Sequence, residues 1–301
     1  MRHLSGFRFL CGALGLAAAM ARPAAAQCLP STIPPEEAAP CREHYPTWSG
    51  ELASFGANAL LGAVSAGIMR ELKGGSFRQG FLRGFAGGSV IYVGKRLAVE
   101  RFEGAGLVGR QVGAVGGSMV RNAGEGRGAL ERLYLPLGVA RLEVHTPTGR
   151  LQFTPDLTAI GWTIWAVTQS ELELDRAASF SAGTPVFRTD NKVLRAHGDT
   201  THSSGITSSG VIYIVGIPSL GPVVARKQLE HERVHVLQED QLFLTVTDPV
   251  EELLLRQLPY LGRWAGRVDV NLSTETLRTL ARWFPKHLER PWEAEAIFHS
   301  R

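Results

Sequence analysis

The chain has 301 residues, is 44% hydrophobic and 20% charged, and carries 32 basic against 28 acidic side chains. That length suits one or two packed domains with an ample core. The balance is only weakly basic, and no basic run is interleaved with aromatics, so nucleic-acid binding has no support.

Residues 1–26 have the pattern of an export signal. Arg2 and Arg8 form a basic start, Phe9 to Met20 a short apolar stretch, and Ala24-Ala25-Ala26 a small-residue cleavage site before Gln27. The apolar stretch is too short for a membrane anchor. Removing Arg2, Arg8 and Arg22 leaves 29 basic residues against 28 acidic, so the high isoelectric point says little about partners. Cleavage also leaves Cys28 and Cys41, an even pair that reads as a disulfide in an exported chain. It would close a Pro-rich, irregular extension over 27–52. The expected location is periplasmic or extracellular.

Residues 53–128 are rich in glycine and small apolar side chains. Glycine costs a helix about 1 kcal/mol relative to alanine. Repeats at four-residue spacing (Gly80/Gly84/Gly88 and Gly109/Gly113/Gly117) let helix backbones approach closely, so the segment predicts two or three short, tightly packed helices. In lipid the same pattern drives helix pairing. Arg70, Arg78, Arg83, Lys95, Arg96 and Arg110 interrupt the apolar stretches, which favours close packing in a soluble protein over insertion. Peripheral membrane association through these helices is kept as an alternative. Gly104-Ala105-Gly106-Leu107-Val108-Gly109 matches a dinucleotide fingerprint only superficially, because no strand precedes it.

Residues 129–222 read as β-rich. Alternating apolar residues over 133–144, a turn at Thr146-Pro147-Thr148-Gly149, and Leu151 to Thr154 beyond it predict a hairpin. Residues 159–167 fit a strand or a buried helix equally. Leu172-Glu173-Leu174 and Val186-Phe187-Arg188 read as short strands, and Val211 to Val215 as a buried one. His197 and His202 lie in a polar stretch, at a spacing that matches no metal-ligand pattern.

Residues 223–301 read as helical. A helix is predicted from about Ala225 to Gln241, with Leu229, Val234, Val236 and Leu237 as its apolar stripe. On it lies H-E-x-x-H: His231, Glu232 and His235. Residues four apart share a helix face, so both imidazoles reach one ion. Glu232 is placed to act on a water at that ion as general base and then as acid. Further helices are predicted after Asp248-Pro249, from Ser273, and after Pro291. A hydrolytic zinc site needs a third protein ligand and an open position. The candidates are Glu293 and Glu295, in Arg290-Pro291-Trp292-Glu293-Ala294-Glu295-Ala296.

These motifs resemble the gluzincin-type zinc metallopeptidases over roughly residues 205–300. Several such families write the second helix E-x-x-A-D. Here Glu293 and Ala296 match, which favours Glu293 as ligand, and Ile297 stands where the aspartate would be. The partner of a ligand histidine is therefore unassigned. The resemblance implies a Zn2+ site of His231, His235 and Glu293, with Glu232 catalytic, and a peptide or protein as substrate. It also implies a cleft bordered by a strand like 211–215, whose edge can pair with an extended peptide. Tyr260, His287 and His299 are candidate oxyanion donors. Glu239 reads as a solvated charge.

The expectation is an α+β protein with a Gly-rich helical N-terminal part, a β-rich middle and a zincin-like helical catalytic part. It is read as an exported zinc metallopeptidase. The alternative is a non-catalytic, metal- or partner-binding envelope protein. Neither substrate specificity nor oligomeric state is legible in the sequence.

Overall fold

The computed structural model describes residues 48–169, 171–189, 205–215, 222–249, 267–283 and 290–300. The expected export signal and the Cys28/Cys41 pair lie outside the described residues. So do His197, His202, Tyr260, His287 and the body of the helix expected after Pro249. The architecture is mixed α+β.

Three helices come first: α1 (Trp48–Leu72), α2 (Phe77–Ala98) and α3 (Ala105–Glu125). They are long, not short. The glycines meet neighbouring backbones, so packing offsets their cost in helix propensity. A methyl group at Gly84 would stand 2.4 Å from the Gly62 carbonyl oxygen, and one at Gly94 2.5 Å from the Gly113 nitrogen. The stripe Gly80/Gly84/Gly88 faces α1 throughout. The second expected stripe divides: Gly109 faces α2, while Gly113 meets Leu237 and Gly117 meets Leu244. The charges expected to interrupt the segment fall outside residues 52–69. By length and composition, Ser49–Leu72 is therefore apolar enough to cross a membrane. One side of it is nonetheless buried, through Asn58, Ala59, Gly62, Ala63 and Ala66.

A three-stranded antiparallel meander follows: β1 (Arg132–Leu137), β2 (Ala140–His145) and β3 (Arg150–Pro155). The expected single strand over 133–144 is split by Gly138, whose φ of 61° turns the chain. The ambiguous 159–167 stretch is helical: α4 (Leu157–Thr168) is capped by Asp156, which accepts from the Thr158 and Ala159 amides at 3.0 and 2.9 Å.

The second sheet holds β4 (Glu173–Leu174), β5 (Val186–Thr189), β6 (Gly205–Ser208) and β7 (Val211–Val215), in the order β4-β5-β7-β6. Helix α5 (Arg176–Ala182) connects β4 and β5. β5 and β7 are parallel, and the other pairs are antiparallel. β7 is buried on both faces, which explains its unbroken apolar run. Ile212 and Ile214 pack with Leu229 and Val236, while Val211 and Tyr213 pack with Ala159, Ala166 and the partly buried Trp162 and Trp165. The edge strands of this sheet are β4 and β6, and the 211–215 strand lies inside it. Ser209 and Gly210, both at positive φ, fold β6 back onto β7 and cover it.

Among the described residues the remaining helices are α6 (Pro222–Leu242), running into a π-helical turn over Phe243–Thr247, then α7 (Ser273–Ala281) and α8 (Pro291–His299). Leu229, Val234, Val236 and Leu237 are all buried, as their helical spacing predicts. Helix α6 packs against β6 and β7 on one side and against α2, α3 and α8 on others.

Candidate metal centre

His231 and His235 stand one turn apart on α6, with ring centroids 4.6 Å apart and Nε2 atoms 3.0 Å apart. Helix α8 begins with Pro291 at its first position, and Glu293 enters from its first turn. Ala296 is fully buried, and its small side chain lets α8 approach α6. Glu293 Oε2 thereby lies 3.4 Å from His231 Nε2 and 3.3 Å from His235 Nε2. Three ligand-type atoms from two helices converge on one point.

The spacing can be tested against the chemistry. Zinc bonds of about 2.0–2.2 Å to nitrogen and oxygen, at tetrahedral angles, place ligand atoms about 3.3–3.5 Å apart. The two separations to Glu293, 3.3 and 3.4 Å, fall in that range, and the 3.0 Å between the two histidine nitrogens is a little shorter. Three lone-pair atoms this close repel unless a cation lies among them. In the protein alone that cation is a proton. Burial would lower the His235 pKa, but the Glu293 carboxylate outweighs it and raises it to about 10.

Glu232 is 4% exposed. Its Oε2 accepts a 2.8 Å hydrogen bond from the Thr207 hydroxyl on edge strand β6, and its charge acts on His235. Gly205, on the same strand, leaves room for this carboxylate: a methyl group there would stand 2.5 Å from Glu232 Oε1.

Glu295, the competing ligand candidate, points away from this triangle. It accepts from Lys95 Nζ at 2.8 and 2.9 Å and from Gln238 Nε2 at 2.8 Å. Burial alone would raise its pKa, but the Lys95 ammonium holds it well below the usual carboxylate range. His299 is buried beside Ser54, Tyr92 and Glu295, which removes it as an oxyanion donor.

Two residues were missed or misread in the sequence. Gln238 Oε1 lies 2.7 Å from His235 Nδ1, a contact not assigned from the sequence. Its position three residues after His235 was a usable signal, since i and i+3 share a helix face. His231 Nδ1 has no hydrogen-bond partner among the described residues. Glu239 is 3% exposed rather than solvated. It accepts from the Gly210 amide at 2.6 Å and from the Thr274 hydroxyl, tying α6 to the β6–β7 turn and to α7. Burial pushes its carboxyl up to about 7.

Comparison with protein-family models, with curated proteins and with solved structures gives no match.

Proposed function

We propose that this chain is a zinc-dependent peptidase of gluzincin type. The observation that carries the reading is the convergence of His231 Nε2, His235 Nε2 and Glu293 Oε2 within 3.4 Å of one another, close to tetrahedral ligand spacing, with Glu232 next to His231 in sequence. His231, His235 and Glu293 would hold the ion, a His2Glu set that leaves a fourth position open. The ion supplies Lewis acidity, polarising water and the scissile carbonyl.

The protein's own groups do the rest. Glu232 takes the proton from the attacking water and delivers it to the leaving amine, and Thr207 orients its carboxylate. The substrate proposed is an extended peptide. The N-terminal sequence supports export, and the site is read as working outside the cytoplasm.

The test is metal content of residues 27–301 together with hydrolysis of a peptide library, beside His231→Ala, Glu293→Ala and Glu232→Gln variants. About one zinc per chain is expected, lost in the first two variants and kept in Glu232→Gln, which loses turnover. A protein that takes up no zinc when zinc is supplied would overturn the reading. Zinc retention in Glu293→Ala would remove the third ligand. Unchanged turnover in Glu232→Gln would remove the mechanism.

A further inference from the structure

The orientation of the Gln238 side chain is decided by its neighbours. Its Nε2 faces the Trp292 carbonyl oxygen at 2.9 Å and Glu295 Oε2 at 2.8 Å. Both are acceptors only, so the amide must present its NH2 group to them. Its Oε1 is thereby turned toward His235 Nδ1, 2.7 Å away. An amide oxygen cannot donate, so His235 Nδ1 carries the hydrogen and donates it. His235 Nε2 then faces Glu293 and His231, and presents its lone pair there once a metal displaces the proton it holds in the free protein.

Glu295 is in turn fixed from the Gly-rich helices. Lys95 on α2 reaches both of its oxygens, and Asn58 on α1 donates to Oε1 while accepting from Lys95 at 2.8 Å. Lys95 and Asn58 are each 1% exposed. Helices α1 and α2 bring them together because Gly88 seats its backbone directly on Asn58 and Ala59.

We propose that Gln238 is a positioning residue that selects the metal-binding tautomer of His235, and that Lys95 and Asn58 enforce its orientation through Glu295. The inference rests on the zinc reading above and assigns the Gly-rich helices a part in that site. Glu295, Lys95 and Gln238 form a chain from the first helical layer to a ligand histidine. An outer partner of this kind typically changes metal affinity by about 10–100-fold when it is lost.

The test uses residues 27–301 and zinc affinity by competition with a chelator, read beside thermal stability of the metal-free protein. Gln238→Leu should bind zinc about 10–100-fold more weakly while unfolding near the wild-type temperature. Lys95 is deeply buried, so its single variant risks leaving Glu295 uncompensated and the fold damaged. Lys95→Met combined with Glu295→Leu removes both charges, an exchange that buried pairs commonly tolerate. This double variant keeps the Trp292 contact and should weaken zinc by about tenfold. Nitrogen-15 NMR of the zinc-loaded wild type should show His235 protonated at Nδ1.

Wild-type zinc affinity in Gln238→Leu, with only the unfolding temperature lowered, would make Gln238 a structural residue and overturn the proposal. So would a His235 protonated at Nε2 in the zinc-loaded wild type. Wild-type zinc affinity in the double variant would remove Lys95 and Glu295 from it. Failure of the wild-type protein itself to bind zinc is a separate outcome that overturns the metal reading and this one together.

Discussion

Glu293 Oε2 stands 3.3 Å from His235 Nε2, although the two residues lie on different helices and are far apart in sequence. A carboxylate and a buried imidazole at that distance share a cation. Without metal, burial would lower the His235 pKa, but the Glu293 carboxylate outweighs it and raises it to about 10, so near neutral pH the shared cation is a proton on the imidazole.

Metal binding must therefore displace this proton. Near neutral pH, zinc uptake is expected to release about one proton from the protein, and apparent affinity to rise about tenfold per pH unit until the pH approaches 10. Calorimetry in buffers of different ionisation enthalpy counts the released protons. Affinity independent of pH between 6 and 8 would contradict the shared-proton arrangement.

The Glu232 carboxylate, the proposed general base, depends on an absent side chain. Gly205→Ala would press on Glu232 Oε1 and on Gln228 Nε2, both at flexible side-chain ends. Stability is expected to change little and zinc to stay bound. Turnover should fall on the order of 100-fold, the usual cost of misplacing a reacting group by about 1 Å. Kinetics beside metal analysis separates this from loss of the site. Full turnover in Gly205→Ala would show that Glu232 has room to move without consequence.

The Gly-rich helices give a paired prediction. Gly56 on α1 has open space where a methyl group would go, so Gly56→Ala should stabilise by about 0.5–1 kcal/mol through helix propensity. Gly88 is different: a methyl group would stand 2.3 Å from the Asn58 carbonyl oxygen and 2.8 Å from Ala59 Cα, which are backbone atoms that cannot swing aside. Gly88→Ala should destabilise by about 1–3 kcal/mol despite its better propensity. Denaturant unfolding of both variants tests the packing, and a stabilised Gly88→Ala would rule it out.

Glu239 sets a pH dependence of folding. Its carboxyl is raised by burial from 4.5 to about 7, so between those values the native state holds more protons than the unfolded chain. Stability from this group is present below pH 4.5 and falls as pH rises toward 7, by at most about 1.4 kcal/mol per pH unit. Glu239→Gln keeps an acceptor for the Gly210 amide and removes the titration. The difference in stability between pH 5 and pH 7.5 should become smaller and less negative in the variant than in the wild type, measured by denaturant unfolding. An unaltered difference would place the titration elsewhere.

The elements whose evidence is local were legible in the sequence. The His231/Glu232/His235 spacing, the apolar stripe of Leu229, Val234, Val236 and Leu237, and the buried run 211–215 follow from helical and strand periodicity within one segment. Pro291 and Ala296 marked the start and the close-packing face of α8 for the same reason. What only the tertiary structure decided is whatever depends on which segments meet. The E-x-x-A register already favours Glu293 over Glu295, but only the fold shows that Lys95 from α2 captures Glu295 and leaves Glu293 facing the two histidines. The burial of Glu239 depends on the β6–β7 turn and α7 closing over it. The lengths of α1 to α3 were underestimated because propensity charges each glycine its cost but is blind to the neighbouring backbone that each glycine admits. Local sequence specifies an element and its faces. Partner identity is a long-range property, and buried polar groups such as Gln238 and Lys95 acquire their roles only when those partners arrive.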